Sequence, residues 1–188
     1  MRGFDMVRKV VFLANCLLNQ NAKVAEFALY PGVVGPVVDL FRQKGFEVEQ
    51  LPCPELTFMG INRWWQTKDQ YDTPGYRKHC RRLAKVTADL IEHYKRSGCK
   101  VYLVGLDGSP SSGVRLTGRN PTWGGRPLAT LEQYQVVPGR GVWIEELLEE
   151  LKRRGITFDG ETGVPMDVPG FNMDRSLNEL RQFIEEGE

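Results

Sequence analysis

Histidine is nearly absent from this chain, with only His79 and His93. Both fall in one predicted helix at no metal-binding spacing, so a histidine-built metal site is not expected and both are read as solvated. Charge of one sign is also lacking, since 25 Lys and Arg face 24 Asp and Glu. Such a balance leaves no electrostatic footprint for nucleic acid or an anionic membrane surface, and the expected partner is a small molecule. Long hydrophobic runs are missing too. Val10 to Ala14 is too short for a membrane span or a signal peptide, and Met1 to Lys9 before it is charged, which predicts a cytoplasmic protein. There is no internal repeat, no low-complexity segment, and no Walker or GxGxxG pattern to cradle nucleotide phosphates.

What is present fits one α/β domain over residues 1 to 188, at 41% hydrophobic and 26% charged. Lys9 to Asn15, Phe46 to Leu51 and Lys100 to Leu106 are apolar runs of strand type. Helical spacing marks Pro31 to Lys44, Gly75 to Lys95 and Gly141 to Arg154, with Gly45, Gly98 and Gly155 where C-terminal glycines belong. Ile156 to Asp159 is a candidate fourth strand, and a last helix capped by Asp174 carries Leu177, Leu180 and Ile184. Residues 56 to 73, with Trp64 and Trp65, read as a loop or broken helix over the site. Residues 114 to 140 read as surface chain with one turn of helix at Leu128 to Tyr134.

Alternating strands and helices with short connections predict an open, mostly parallel, Rossmann-like sheet flanked by helices. In such sheets ligands bind outside the carboxyl ends of the strands. Three unusual loops follow those ends: Asn15-Cys16-Leu17-Leu18-Asn19, Cys53-Pro54-Glu55 and Ser109-Pro110-Ser111-Ser112-Gly113. A parallel sheet would bring two thiols, a carboxylate and several hydroxyls together. The reducing cytoplasm argues against structural disulfides, leaving buried thiols, metal ligands or nucleophiles as the readings of the four cysteines. Cys80, mid-helix, and Cys99, at the opening of the third strand, are placed for packing.

In these loops the sequence resembles the 2-thiouracil desulfurase (TudS-like) family, over about residues 1 to 115. Cys16-Leu17-Leu18, Cys53-Pro54-Glu55 and Ser109-Pro110-Ser111-Ser112-Gly113 carry the match, the last standing where the family usually reads Ser-Pro-Ser-Cys-Gly. The resemblance implies a 4Fe-4S cluster held at Cys16, Cys53 and the position of Ser112, with one iron open to the sulfur of a thiolated small molecule such as a thiopyrimidine. It implies Glu55 as the base that activates water, and Ser109 as a hydrogen-bonding or proton-relaying group, in a desulfurase with no net redox change. The departure is Ser112, because an alkoxide is a harder and poorer iron ligand than a thiolate. Two other readings stand beside it: a hydrolase or transferase using Cys16 or Cys53 as nucleophile, and a cluster-free binding module for a small heterocycle or anion.

Overall fold

A computed structural model describes residues 7–124 and 134–187. Its centre is a parallel four-stranded sheet in the order β2-β1-β3-β6, where β1 is Lys9–Leu13, β2 Phe46–Gln50, β3 Lys100–Leu106 and β6 Gly160–Val164. The expected open α/β sheet flanked by helices is the observed one. β1 and β3 lie in the middle and are buried almost throughout, which is why they read as unbroken apolar runs. β2 is an edge strand, with Phe46 buried and Glu47 and Gln50 exposed. A separate antiparallel pair, β4 (Leu116–Arg119) with β5 (Gln135–Pro138), lies in the stretch read as wandering chain. The helical turn expected at Leu128 to Tyr134 falls, but for Tyr134, outside the described residues.

Helices cover both faces. α5 (Pro74–Arg96) and α6 (Val142–Arg153) pack on one face over Val10, Phe12, Val101 and Leu103. α2 (Gly35–Gln43) and α7 (Met173–Glu186) pack on the other over Val11, Leu13, Tyr102 and Val104. Alternate residues of each central strand thus feed opposite cores. Among the described residues no helix is long and apolar enough to cross a membrane.

Several boundaries differ from expectation, each for a local reason. β1 ends at Leu13, and Asn15–Leu18 coils into one helical turn, α1. α2 starts at Gly35, with Pro36 in its first turn, rather than at Pro31. Residues 56–73 hold the end of α3 (Pro54–Met59) and a short α4 (Lys68–Tyr71) closed by a Thr67–Gln70 capping box. The cap of α7 is Asn172, whose Oδ1 accepts from Arg175 N at 2.9 Å, and Asp174 sits inside the first turn.

The fourth parallel strand is Gly160–Val164, not Ile156 to Asp159. Asp159 instead ties down the start of β3, its carboxylate accepting from Val101 N at 2.6 Å and from Lys95 Nζ at 2.9 Å. β6 is poor in strand formers because its neighbours leave no room for side chains. A Cβ on Gly163 would lie 2.2 Å from Asp107 Oδ1, and one on Gly160 would lie 2.9 Å from the Phe183 ring.

Candidate active site

The parallel register aligns the strand ends: Leu13 pairs with Gln50 and Val104, and Leu106 pairs with Val164. The loops after β1, β2, β3 and β6 therefore open on one edge of the sheet. There they enclose a cleft of about 650 Å³ including its open mouth, lined by Cys16, Cys53, Glu55, Ser109 and Ser112. All five residues singled out from the sequence are thus brought together, and Cys80 and Cys99 are buried elsewhere in the core.

Cys16 lies in α1, whose segment is tied by Gln20 Nε2 to Cys16 O at 2.6 Å. Before it, Asn15 Oδ1 accepts from Gln50 Nε2 at 2.6 Å, so β2 orients the amide. This leaves Asn15 Nδ2 buried without a hydrogen-bond partner among the described residues, in a side chain that lines the cleft. Cys53 caps α3, its Sγ accepting from Leu56 N at 3.4 Å, with Pro54 at the first helical position where a missing N–H is harmless.

Glu55, in the first turn of α3, is buried and densely bonded. Its Oε2 accepts from Arg63 Nε at 3.1 Å and from Tyr71 OH at 3.3 Å, and its Oε1 accepts from Ser111 Oγ at 2.5 Å. Arg63 in turn reaches Ala22 O at 2.7 Å and Gly60 O at 3.2 Å, clamping the segments on either side of the cleft. Ser111 belongs to the loop expected at the site, whereas Arg63 and Tyr71 were given no part in it. Arg63 and Tyr71 sit in an aperiodic stretch whose partners are visible only in three dimensions.

The loop after β3 is held by two buried groups. Asp107 Oδ1 accepts from Val114 N, Arg115 N and Leu116 N at 3.0, 2.9 and 3.3 Å, while Oδ2 takes Arg115 Nε at 2.8 Å. Ser109 Oγ accepts from Ser111 N at 3.3 Å, Ser112 N at 3.1 Å and Ser112 Oγ at 3.1 Å. Its own proton remains for a ligand or for Ser111 Oγ, 3.4 Å away. Hydroxyls thus run from Ser112 through Ser109 and Ser111 to Glu55. The N-terminus of α6 seals the loop from behind, with Val142 N on Pro110 O at 3.0 Å and Trp143 N on Ser111 O at 3.1 Å. Those loop carbonyls satisfy amides that a helix start otherwise leaves open.

The fourth loop adds Asp167, which the misplaced strand hid from view. It pairs with Lys23 Nζ at 2.6 Å in the cleft lining, and both side chains are almost wholly buried. Burial raises the Asp167 carboxyl above its ordinary value, against the opposing pull of Lys23. Burial likewise pushes the Cys16 thiol up to about 12 and the Cys53 thiol upward.

The aromatic loop divides its tryptophans. Trp65 is buried and lines the cleft against Trp123 (ring centroids 4.7 Å apart) and Tyr134 (5.9 Å), whereas Trp64 is half exposed. His93 is exposed as expected. His79 is only partly so, with Nε2 2.7 Å from Thr57 Oγ1, and burial lowers its pKa.

No protein-family model matches the chain. An uncharacterised protein of Methanocaldococcus jannaschii is 26% identical over 149 residues, which cover 79% of this chain and 81% of that protein. No solved structure matches.

Proposed function

We propose that the cleft removes sulfur from a small thiolated heterocycle, such as a thiopyrimidine, with a 4Fe-4S cluster held by Cys16, Cys53 and Ser112. The observation that carries this reading is that these three residues, with Glu55 and Ser109, come from three separate strand ends to line one cleft. The donor set fits such a group in two respects. Cys16 and Cys53, both lining the cleft, would supply two soft sulfur donors, one already accepting an amide hydrogen bond, and Asn15 Nδ2, buried without a partner among the described residues, would be left to donate to a bound group. Ser112 supplies a harder oxygen at the third position. Among the described residues no three His, Cys, Asp or Glu converge as a single metal ion requires.

When bound, the cluster supplies a Lewis-acidic iron for the substrate's sulfur. The chain's own groups do the rest. Glu55 spends three of about four lone-pair sites on Arg63, Tyr71 and Ser111, leaving one to take a proton from water held at the thiocarbonyl carbon. The free Ser109 proton hydrogen-bonds the substrate, and Trp65 and Phe27 give the ring apolar walls. A reducing cytoplasm suits the four unpaired cysteines. The cysteine-nucleophile alternative predicts alkylation of Cys16 or Cys53 by iodoacetamide in the metal-free protein.

The test is anaerobic purification of the wild type and Ser112→Cys, with iron and acid-labile sulfide measured per chain. About four of each in either form supports the cluster. Neither metal nor sulfide in both forms overturns it and leaves the binding module. In a loaded protein Glu55→Gln should abolish turnover of a thiopyrimidine with little change in affinity.

A further inference from the structure

We propose that Lys23 and Asp167 are the specificity element of this cleft, selecting planar ligands that carry an N–H beside a carbonyl or thiocarbonyl. The inference rests on the cleft being a ligand site for a heterocycle, and not on the cluster.

Two opposite charges 2.6 Å apart, with side chains 6% and 11% exposed, form an expensive arrangement to desolvate. The pair is also incomplete. Lys23 Nζ has three donors and spends one on Asp167 Oδ1. Asp167 Oδ2 has no hydrogen-bond partner among the described residues. Both residues line the cleft, with Phe27 beside Lys23 at 5.8 Å from Nζ to ring centroid. A donor and an acceptor therefore stand side by side on a cleft wall, next to aromatic surfaces. A ring amide, imide or thioamide edge presents the complementary pair, its N–H to Asp167 and its oxygen or sulfur to Lys23.

A purely structural role explains the pair less well, because the backbone already fixes the loop that carries Asp167. Met166 N bonds Val164 O at 2.9 Å, and the Asp167 backbone closes against Gly108, where a Cβ would meet Asp167 O at 2.5 Å. On the other side, Gln20 holds the Lys23 segment through Cys16 O and Leu29 N. Neither loop depends on the ion pair for its course.

The experiment measures binding of 2-thiouracil and of its di-N-methyl derivative by calorimetry. It uses wild type, Asp167→Asn, and the double variant Lys23→Met with Asp167→Leu, which leaves no charge unpaired. Thermal melts confirm folding, and iron and sulfide are assayed on the same preparations. Wild type should prefer the parent ring by about tenfold or more, the effect of one charged hydrogen bond. The double variant should bring that ratio to about one while keeping the affinity for the methylated ring, and Asp167→Asn, whose Oδ1 still accepts, should lower it only in part. A preference that persists in full in the folded double variant overturns the proposal. A wild-type ratio near one overturns it and leaves the cleft's assignment standing. Binding of neither ring removes both, whatever the metal content.

Discussion

Arg63 Nε donates to Glu55 Oε2 at 3.1 Å, with the guanidinium side chain 2% exposed and the carboxylate 12%. The carboxylate expected to act as base is thus set against a buried counter-charge that also bonds backbone on both sides of the cleft. Replacing Arg63 with Met strands a buried carboxylate and frees two carbonyls. The expected loss is about 3–5 kcal/mol in urea unfolding. A loss under about 1 kcal/mol would show that water reaches Glu55 and takes over the role of Arg63.

Ser109 and Ser111 of the loop after β3 hold different partners. Ser109→Ala removes the acceptor of three hydrogen bonds and should destabilise the chain by about 1–3 kcal/mol, because two buried amides and a hydroxyl lose their partner. Ser111→Ala leaves those amides bonded but takes one donor from the buried Glu55 carboxylate, so it should cost about 1.5–3 kcal/mol and also alter turnover through Glu55. Unchanged stability and unchanged turnover in Ser111→Ala would contradict this.

Gly105→Ala places a methyl group 2.3 Å from Ser112 O and 2.6 Å from Val114 Cγ2. The loop after β3 must shift, which should cost about 1–3 kcal/mol. The same shift should weaken ligand binding in the cleft although Gly105 does not line it. Unaltered binding in a calorimetric titration would mean that the strand, not the loop, gives way.

Burial raises the Cys80 thiol from 9.0 to about 12, with Glu146 adding to the effect. The native state therefore keeps a proton that the unfolded chain releases between those values. Below pH 9 this group adds no pH dependence; above it, stability falls as pH rises, by up to about 1.4 kcal/mol per unit. The stability difference between wild type and Cys80→Ala should be flat below pH 9 and move against the wild type above it. A difference that stays flat to pH 11 would mean that the thiol ionises freely in the folded protein.

The legible parts of the fold are those whose physics is local. β1 and β3 announce themselves because central parallel strands must be apolar on both faces, and α5, α6 and α7 do so through one apolar stripe each. The ends of those strands located Cys16, Ser109 and Ser112, and the end of β2 located Cys53 and Glu55, at the cleft. β6 was not legible, since Gly160 and Gly163 answer to the side chains of Phe183 and Asp107, far away in sequence. Displacing that strand by four residues hid Asp167, and with it the ion-pair partner of Lys23. Arg63 and Tyr71 escaped notice because a loop residue's partner is set by tertiary placement, with no period to betray it.

The order of the strands also sets when the cleft can exist. Its walls come from the chain just after Leu13 and from the chain just after Val164, and the second wall stands only once β6 has paired with β3. Parallel pairing of this kind joins distant segments and comes slowly. A nascent or truncated chain ending before β6 would therefore carry both cleft cysteines and the Glu55 turn without an enclosed pocket, so capture of a small ligand reports completion of the whole sheet.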